Sequence, residues 1–176
     1  MSLKSRVVAV LAENGYEDLE LWYPLLRMRE EGAEVVVVGP GTSDVYLSKH
    51  GYEVKVDKNV EEIDVKDFDA VLIPGGTAPD RLRRYPPVVN FIREAFKQGK
   101  VVGAICHAAS VLVSAKILKD RTVTCFMSIK DDVENAGATY VDQEVVRDGN
   151  LITSRVPKDL PAFCLEIIST LIEEEQ

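Results

Sequence analysis

Cys106 closes the apolar run Val101-Val102-Gly103-Ala104-Ile105 and is followed by His107-Ala108-Ala109-Ser110. The run predicts a buried central strand, and the small residues and helix formers after it predict the start of a helix. A thiol at that junction stands at the carboxyl end of a strand. Open parallel sheets bind ligands and do chemistry on that edge. The dipole and free N–H groups of a helix start also favour a thiolate there. The chemistry on offer is nucleophilic attack by sulfur, in the arrangement of a nucleophile elbow with Cys in place of Ser.

Other groups fall on the same edge. His107 is one of two histidines. Its ring is placed to take the thiol proton, or it supplies only its backbone N–H while the ring turns elsewhere, because adjacent side chains diverge. Gly75 and Gly76 end the apolar run after Asp69. Two glycines let a backbone approach a ligand and aim N–H groups at an oxyanion; an ordinary tight turn uses the same residues. Glu17 and Glu20 sit where the first strand passes into the first helix. One of these carboxyls, held protonated by burial, can share a hydrogen bond with a thiolate. The other reading is acidic residues favoured by a helix N-terminus.

His50 has no acidic or thiol partner nearby in sequence and is read as structural. No His, Cys and carboxylate cluster has ligand spacing, and no Gly-Lys-Ser/Thr follows the glycine pair, so neither a metal, a phosphate loop nor another cofactor is expected. Cys164 lies on a helical stripe with Leu160, Phe163, Ile167 and Leu171 and reads as a packed apolar residue. Cys125 follows Thr122-Val123-Thr124 and reads as a buried strand end.

The elements that must position these groups alternate. Strands are expected over 6–11, 35–38, 52–56, 69–73 and 101–105, the third of them half exposed. Leu19, Trp22, Tyr23 and Leu26 mark one face of a helix that Pro24 should kink or open and Gly32 should end. Pro87 to Gln98 is a helix with Pro in its first turn. Ile129 to Asn135 is a short helix closed by Gly137. Glu144–Arg147 and Leu151–Ser154 form a hairpin about Asp148-Gly149. A final amphipathic helix runs from Lys158, with Asp159 as its N-cap and the acidic tail Glu173-Glu174-Glu175 as a solvated end. This pattern predicts an α/β fold, a three-layer α/β/α sandwich with a mostly parallel, doubly wound sheet and a small antiparallel hairpin, in a single domain over 1–176.

Composition narrows the function classes. The chain has 176 residues, 46% hydrophobic and 28% charged, with formal net charge −8. That suits one domain with a sizeable core and disfavours nucleic acid as a partner. No apolar stretch is long enough to span a membrane, and the polar start is too short for targeting. Three dispersed cysteines without a CxxC point to the cytoplasm.

In order along the chain stand Tyr16-Glu17-Asp18-Leu19-Glu20, Lys49-His50-Gly51-Tyr52, Asp69 to Gly76, Ala104-Ile105-Cys106-His107, Ile129-Lys130-Asp131-Asp132 and Thr153-Ser154-Arg155-Val156-Pro157. Together they resemble the PfpI-type intracellular proteases of the DJ/PfpI superfamily, whose fold is similar to class I glutamine amidotransferases. The resemblance covers nearly the whole chain. It implies Cys106 as nucleophile on a strained elbow and Glu20 as the acid touching the thiolate, with Glu17 close by. It implies an oxyanion hole from Gly75, Gly76 and the His107 backbone. It also implies His107 as base, oriented by an acidic side chain from a neighbouring subunit. Asp80 holds that position, where relatives often have Glu. Ala108-Ala109 replaces a common Gly-Pro, and Phe126 stands where several relatives line the pocket with Tyr, Trp or His.

The expected protein is a cytoplasmic, cofactor-independent cysteine enzyme that attacks carbonyl carbons. The resemblance implies a glyoxalase or deglycase acting on small aldehydes such as methylglyoxal and on glycated amines. An intracellular peptidase acting on peptides is the second reading, and a non-catalytic redox sensor of the stress response is the third. A homodimer or higher homo-oligomer is expected, because PfpI-like sites borrow a residue across a subunit contact.

Overall fold

The computed structural model describes residues 2–173. In chain order the elements are β1 (Val7–Leu11), α1 (Asp18–Glu30), β2 (Glu34–Gly39), β3 (Val45–Leu47), β4 (Glu53–Lys55), β5 (Lys58–Asn59), β6 (Ala70–Ile73), α2 (Ala78–Leu82), α3 (Pro86–Lys97), β7 (Val101–Ile105), α4 (Ala109–Ala115), β8 (Thr122–Val123), α5 (Lys130–Asn135), β9 (Thr139–Tyr140), β10 (Val145–Asp148), β11 (Leu151–Ser154) and α6 (Leu160–Glu173). One sheet has the order β10-β11-β7-β6-β1-β2-β5. All its pairings are parallel except β10 with β11. The expected mostly parallel sheet with one antiparallel hairpin is therefore present.

Strand alternation builds two cores. Ala9, Leu11, Val71, Ile73, Val102 and Ala104 face the layer of α3, α4 and α5. Val8, Val10, Leu72, Val101 and Ile105 face the layer of α1 and α6. Strands buried on both faces are apolar throughout, which is why β6 and β7 read as unbroken hydrophobic runs. From β1 the chain first builds outward through β2, then returns to β6 on the other side of β1. The reversal opens a crevice at the carboxyl ends of β1 and β6, beside the end of β7.

Several sequence expectations are corrected here. The buried stripe of α1 is Leu21, Leu25 and Met28, with Glu20 and Pro24. Leu19, Tyr23 and Leu26, expected as the core face, are exposed. Both sets have helical spacing, so periodicity alone selects neither. Pro24 lies inside α1, as expected, and the helix runs on to Glu30. Asp159 closes a 3₁₀ turn before α6 rather than capping it, and its carboxylate accepts Nε of Arg155 at 2.8 Å. In the acidic tail, Glu173 pairs with Arg147 at 2.8 Å. Glu174 and Glu175 lie outside the described residues. The strands β3, β5 and β9 and the short α2 had no distinct sequence signal. The alternating segment at Tyr52 forms β4, antiparallel to β3.

Gly103 in β7 leaves no room for a side chain between the sheet and α6. A Cβ there would stand 2.8 Å from Leu72 Cδ2 and 3.1 Å from Ile167 Cδ1. Gly103→Val is expected to destabilise the fold by about 1–3 kcal/mol through overpacking. Urea unfolding checks this; an unchanged midpoint would show that α6 docks more loosely than described.

Candidate active site

Backbone contacts bind the loops after β1 and β6 into one unit. Glu17 N–H donates to Gly75 O at 3.2 Å, and Thr77 N–H to Gly15 O at 2.9 Å. Gly76 has φ +74°, and a Cβ there would lie 2.3 Å from Gly15 O and 2.6 Å from Glu17 N. No larger residue fits without moving the strap. On its other side, Lys49 N–H donates to Tyr16 O at 2.9 Å, which brings the loop before β4 to the same lip.

α1 starts from this strap. Glu17 is its N-cap, and its carboxylate accepts Glu20 N–H at 2.9 Å. That satisfies an otherwise orphaned helix donor. Glu17 therefore fills the capping role, and Glu20 alone turns inward, 2% exposed. Glu20 Oε2 accepts Gly75 N–H at 2.8 Å. This occupies the Gly75 N–H that was expected to serve an oxyanion. Glu20 Oε1 has no N–H or O–H partner; the polar group left to it is the Cys106 thiol. A Cβ on Gly75 would stand 2.3 Å from Glu20 Oε2 and 2.8 Å from Cys106 Cβ. The missing side chain of Gly75 is the gap through which acid and thiol meet.

Cys106 has φ 62°, in the left-handed region. A non-glycine residue there costs about 1–3 kcal/mol and persists only where its surroundings impose it. The turn lifts the thiol off β7 toward Glu20. The N–H groups of His107 and Gly76 favour its ionised form. Burial works against them first and the Glu20 charge second, pushing the thiol up to about 12. Glu20 is itself raised to about 8, mainly by burial and then by the Glu17 charge, against the Gly75 N–H, Cys106 and Lys49. Two negative charges cannot sit side by side here. The first proton leaves Glu20 near 8, and the thiol keeps its own beyond that, so the first charge of the pair rests on the carboxyl. This corrects the expectation of a freely ionised thiolate. Between Cys106 and the seven-residue α4 stands a 3₁₀ turn, and burial outweighs what the helix start offers. Cys125 and Cys164 are buried and likewise raised to about 12, without N–H groups aimed at them.

The His107 ring packs on Phe126, centroids 4.9 Å apart at 34°. Burial lowers its pKa, which keeps it neutral near pH 7. Among the described residues its ring nitrogens take no hydrogen bond. Asp80 is exposed and pairs with Arg84 at 2.6 Å. One chain brings together Cys106, Glu20, Gly75, Gly76, Glu17, His107 and Phe126, while the Asp80 carboxylate, on α2, is taken by Arg84. His50, read as lacking an acidic partner, has one at long range: its Nδ1 lies 2.8 Å from Asp18 Oδ2. Ser48 Oγ–H donates to the other oxygen of Asp18 at 2.6 Å. Burial works upward on Asp18, yet the Ser48 and His50 hydrogen bonds outweigh it and hold the carboxyl below its usual range. Lys49, quoted in the run Lys49-His50-Gly51-Tyr52 but given no role, acts on Glu20 by its charge. Spacing along the chain does not pair these residues, because the β3–β4 hairpin carries them to the lip.

A parallel sheet with a cysteine on a strained strand-to-helix turn and an acid facing it defines an α/β cysteine-nucleophile protein. A family model described as the DJ-1/PfpI family matches residues 6–170, and the chain belongs to that family. It is 43% identical over 164 residues to deglycase PfpI of Pyrococcus furiosus, covering 93% of this chain and 98% of that protein. It is 41% identical over 167 residues to YraA of Bacillus subtilis, designated provisionally a cysteine protease, covering 95% of this chain and 99% of that one. A solved two-domain protein of Anabaena variabilis, with DJ-1/ThiJ/PfpI-like and ferritin-like domains, superposes with TM-score 0.93 at 43% identity, covering 95% of this chain and 48% of that chain.

The raised Glu20 carries a stability signature. Its unfolded value is near 4.5 and its folded value about 8, so between these the folded state binds the extra proton. Stability is therefore expected to fall as pH rises from 4.5 to 8, by on the order of 1.4 kcal/mol per unit, and to level off outside that window. Glu20→Gln should remove this fall. Denaturant unfolding of both proteins across the window measures it; parallel curves would show that Glu20 is ionised in the fold.

Proposed function

We propose that this chain is a cysteine-dependent enzyme that attacks carbonyl carbons, a deglycase and glyoxalase acting on methylglyoxal-type dicarbonyls and on their adducts with amines. The observation that carries this reading is the buried Glu20 carboxyl facing Cys106 on its strained turn. The name of the PfpI relative supports the deglycase assignment. The ionised Glu20 carboxylate takes the thiol proton as sulfur attacks the aldehyde carbon and passes it to the carbonyl oxygen, giving a hemithioacetal. The oxyanion is held by the N–H groups of Gly76 and His107, since Gly75 N–H serves Glu20. For methylglyoxal, the proton on the attacked carbon moves to the neighbouring carbon by way of Glu20 or His107. Water then releases lactate and restores the thiol. For a glycated amine, the same acid protonates the departing nitrogen.

Peptide hydrolysis is the second reading, favoured by the provisional designation of YraA and by the unbonded His107 ring beside the thiol. It requires an orienting acid from another subunit, the place we assign to Asp80. The exposed apolar residues Leu19, Tyr23 and Leu26 of α1 support assembly with a second copy. We assign the protein to the cytoplasm, on its three free cysteines. Among the described residues no helix is long and apolar enough to cross a membrane.

Turnover of methylglyoxal and of a casein-type peptide by purified protein tests both readings. Wild type is expected to convert methylglyoxal, Cys106→Ser to be inactive, and Glu20→Gln to lose at least about a hundredfold in rate, the scale of a lost acid-base group. Peptide cleavage without aldehyde turnover would select the peptidase reading. No turnover of either, with selective peroxide oxidation of Cys106, would select the sensor. Near-wild-type rates for Glu20→Gln would transfer the proton shuttle to His107.

A further inference from the structure

On Phe126, the residue that packs on His107, opens a cavity that the chemistry above leaves unused. Its volume is about 400 Å³, and its apolar wall is Phe126, Met127, Tyr140 and Val156. That is the size of a small-molecule site. Phe126 links it to the reaction centre: its N–H donates to Cys106 O at 3.2 Å, and its ring is the one that packs on His107. A substrate whose carbonyl reaches Cys106 and whose remaining atoms extend past Phe126 meets this cavity.

Three cations line the cavity, and one of them is neutralised. Arg155 donates through Nε to Asp159 at 2.8 Å and through Nη1 to Asp142 at 2.8 Å. Its charge is matched twice, and the Asp142 carboxylate on the lining is held by it. Lys130 and Lys158 also line the cavity. Among the described residues neither has an ion pair. Lys130 Nζ stands 5.5 Å from the Tyr140 ring centroid, where a cation–π contact holds it over the wall. The remaining lining group, Cys125, is a neutral thiol, raised to about 12 by burial and then by Asp132 and Glu134. The lining itself carries three cations, Lys130, Lys158 and Arg155, against one carboxylate, Asp142, so in a chain of net charge −8 this wall has an excess of positive charge.

We propose that this cavity is a substrate subsite for a carboxylate-bearing tail with an apolar body, with Lys130 and Lys158 as the carboxylate-binding groups. The inference rests on the carbonyl chemistry proposed above and adds to it a substrate class: aldehyde adducts of carboxylated amines and thiols, in preference to neutral ones. The apolar body lies on Phe126 and Tyr140, and the carboxylate meets the two ammonium groups at the mouth.

A binding titration on the Cys106→Ser protein tests this without turnover. Phenylacetate and its neutral isostere phenylacetamide are the probes, followed by calorimetry and by shifts of resonances at Phe126 and Tyr140. Phenylacetate is expected to bind at least about tenfold more tightly, as one ion pair's worth of affinity gives. The exposed double substitution Lys130→Gln, Lys158→Gln should erase that preference. Equal affinity, no binding by either probe, or a preference that survives the double substitution would overturn the subsite. A kinetic arm uses methylglyoxal hemithioacetals of N-acetylcysteine, which is acidic, and of N-acetylcysteamine, which is neutral. The double variant should raise KM about tenfold for the acidic adduct alone and leave kcat unchanged. If neither adduct is turned over by wild type, the carbonyl chemistry fails, while the titration still decides the subsite.

Discussion

A carboxyl group buried against a thiol is the constraint on which the rest of this structure depends. Glu20 is 2% exposed, and among the described residues it has no ion pair, the Lys49 charge acting on it without one. An ionised carboxylate in such a place is costly, so the group keeps its proton until about pH 8. That value makes the pair useful: the Glu20 carboxylate, once ionised, is the base that takes the proton from sulfur when a carbonyl arrives. Everything around the pair holds these two groups together without neutralising either.

The fold does this with very little material. Glu17 starts α1 so that Glu20 turns inward. Gly75 offers one N–H and no side chain, and Gly76 lets the loop after β6 touch the strap after β1. Cys106 accepts a left-handed backbone conformation at the end of β7. The sheet order sets β1, β6 and β7 side by side, so three residues far apart in sequence arrive at one edge. The strain at Cys106 is small against the burial of the two cores that flank β7, and those cores keep it in place.

Much of this was legible in the sequence, and the exceptions have physical reasons. The apolar runs of β6 and β7 are unambiguous because both faces of the sheet are covered. Cys106 and the glycine pair were visible because strand ends are marked by the loss of large apolar residues. The inward face of α1 was not, because Leu19, Tyr23 and Leu26 match helical spacing as well as Leu21, Leu25 and Met28 do. The ionisation of Cys106 was misjudged for a similar reason. A helix start is a local feature, whereas the burial and the Glu20 charge that oppose it come from elsewhere in the chain. The Asp18–His50 pair is separated by 32 residues and joined only by the β3–β4 hairpin. Long-range electrostatics is the part of a site that spacing does not encode.

Infrared spectroscopy of the protein as a function of pH tests the protonation of this pair most directly. At pH 6 the wild type should show a protonated carboxyl stretch that is missing from Glu20→Gln, together with the S–H stretch of Cys106. The carboxyl stretch should decline as pH passes about 8 while the S–H stretch persists. A carboxyl already ionised at pH 6, or a Cys106 S–H band missing there, would contradict an acid held neutral against a protonated thiol.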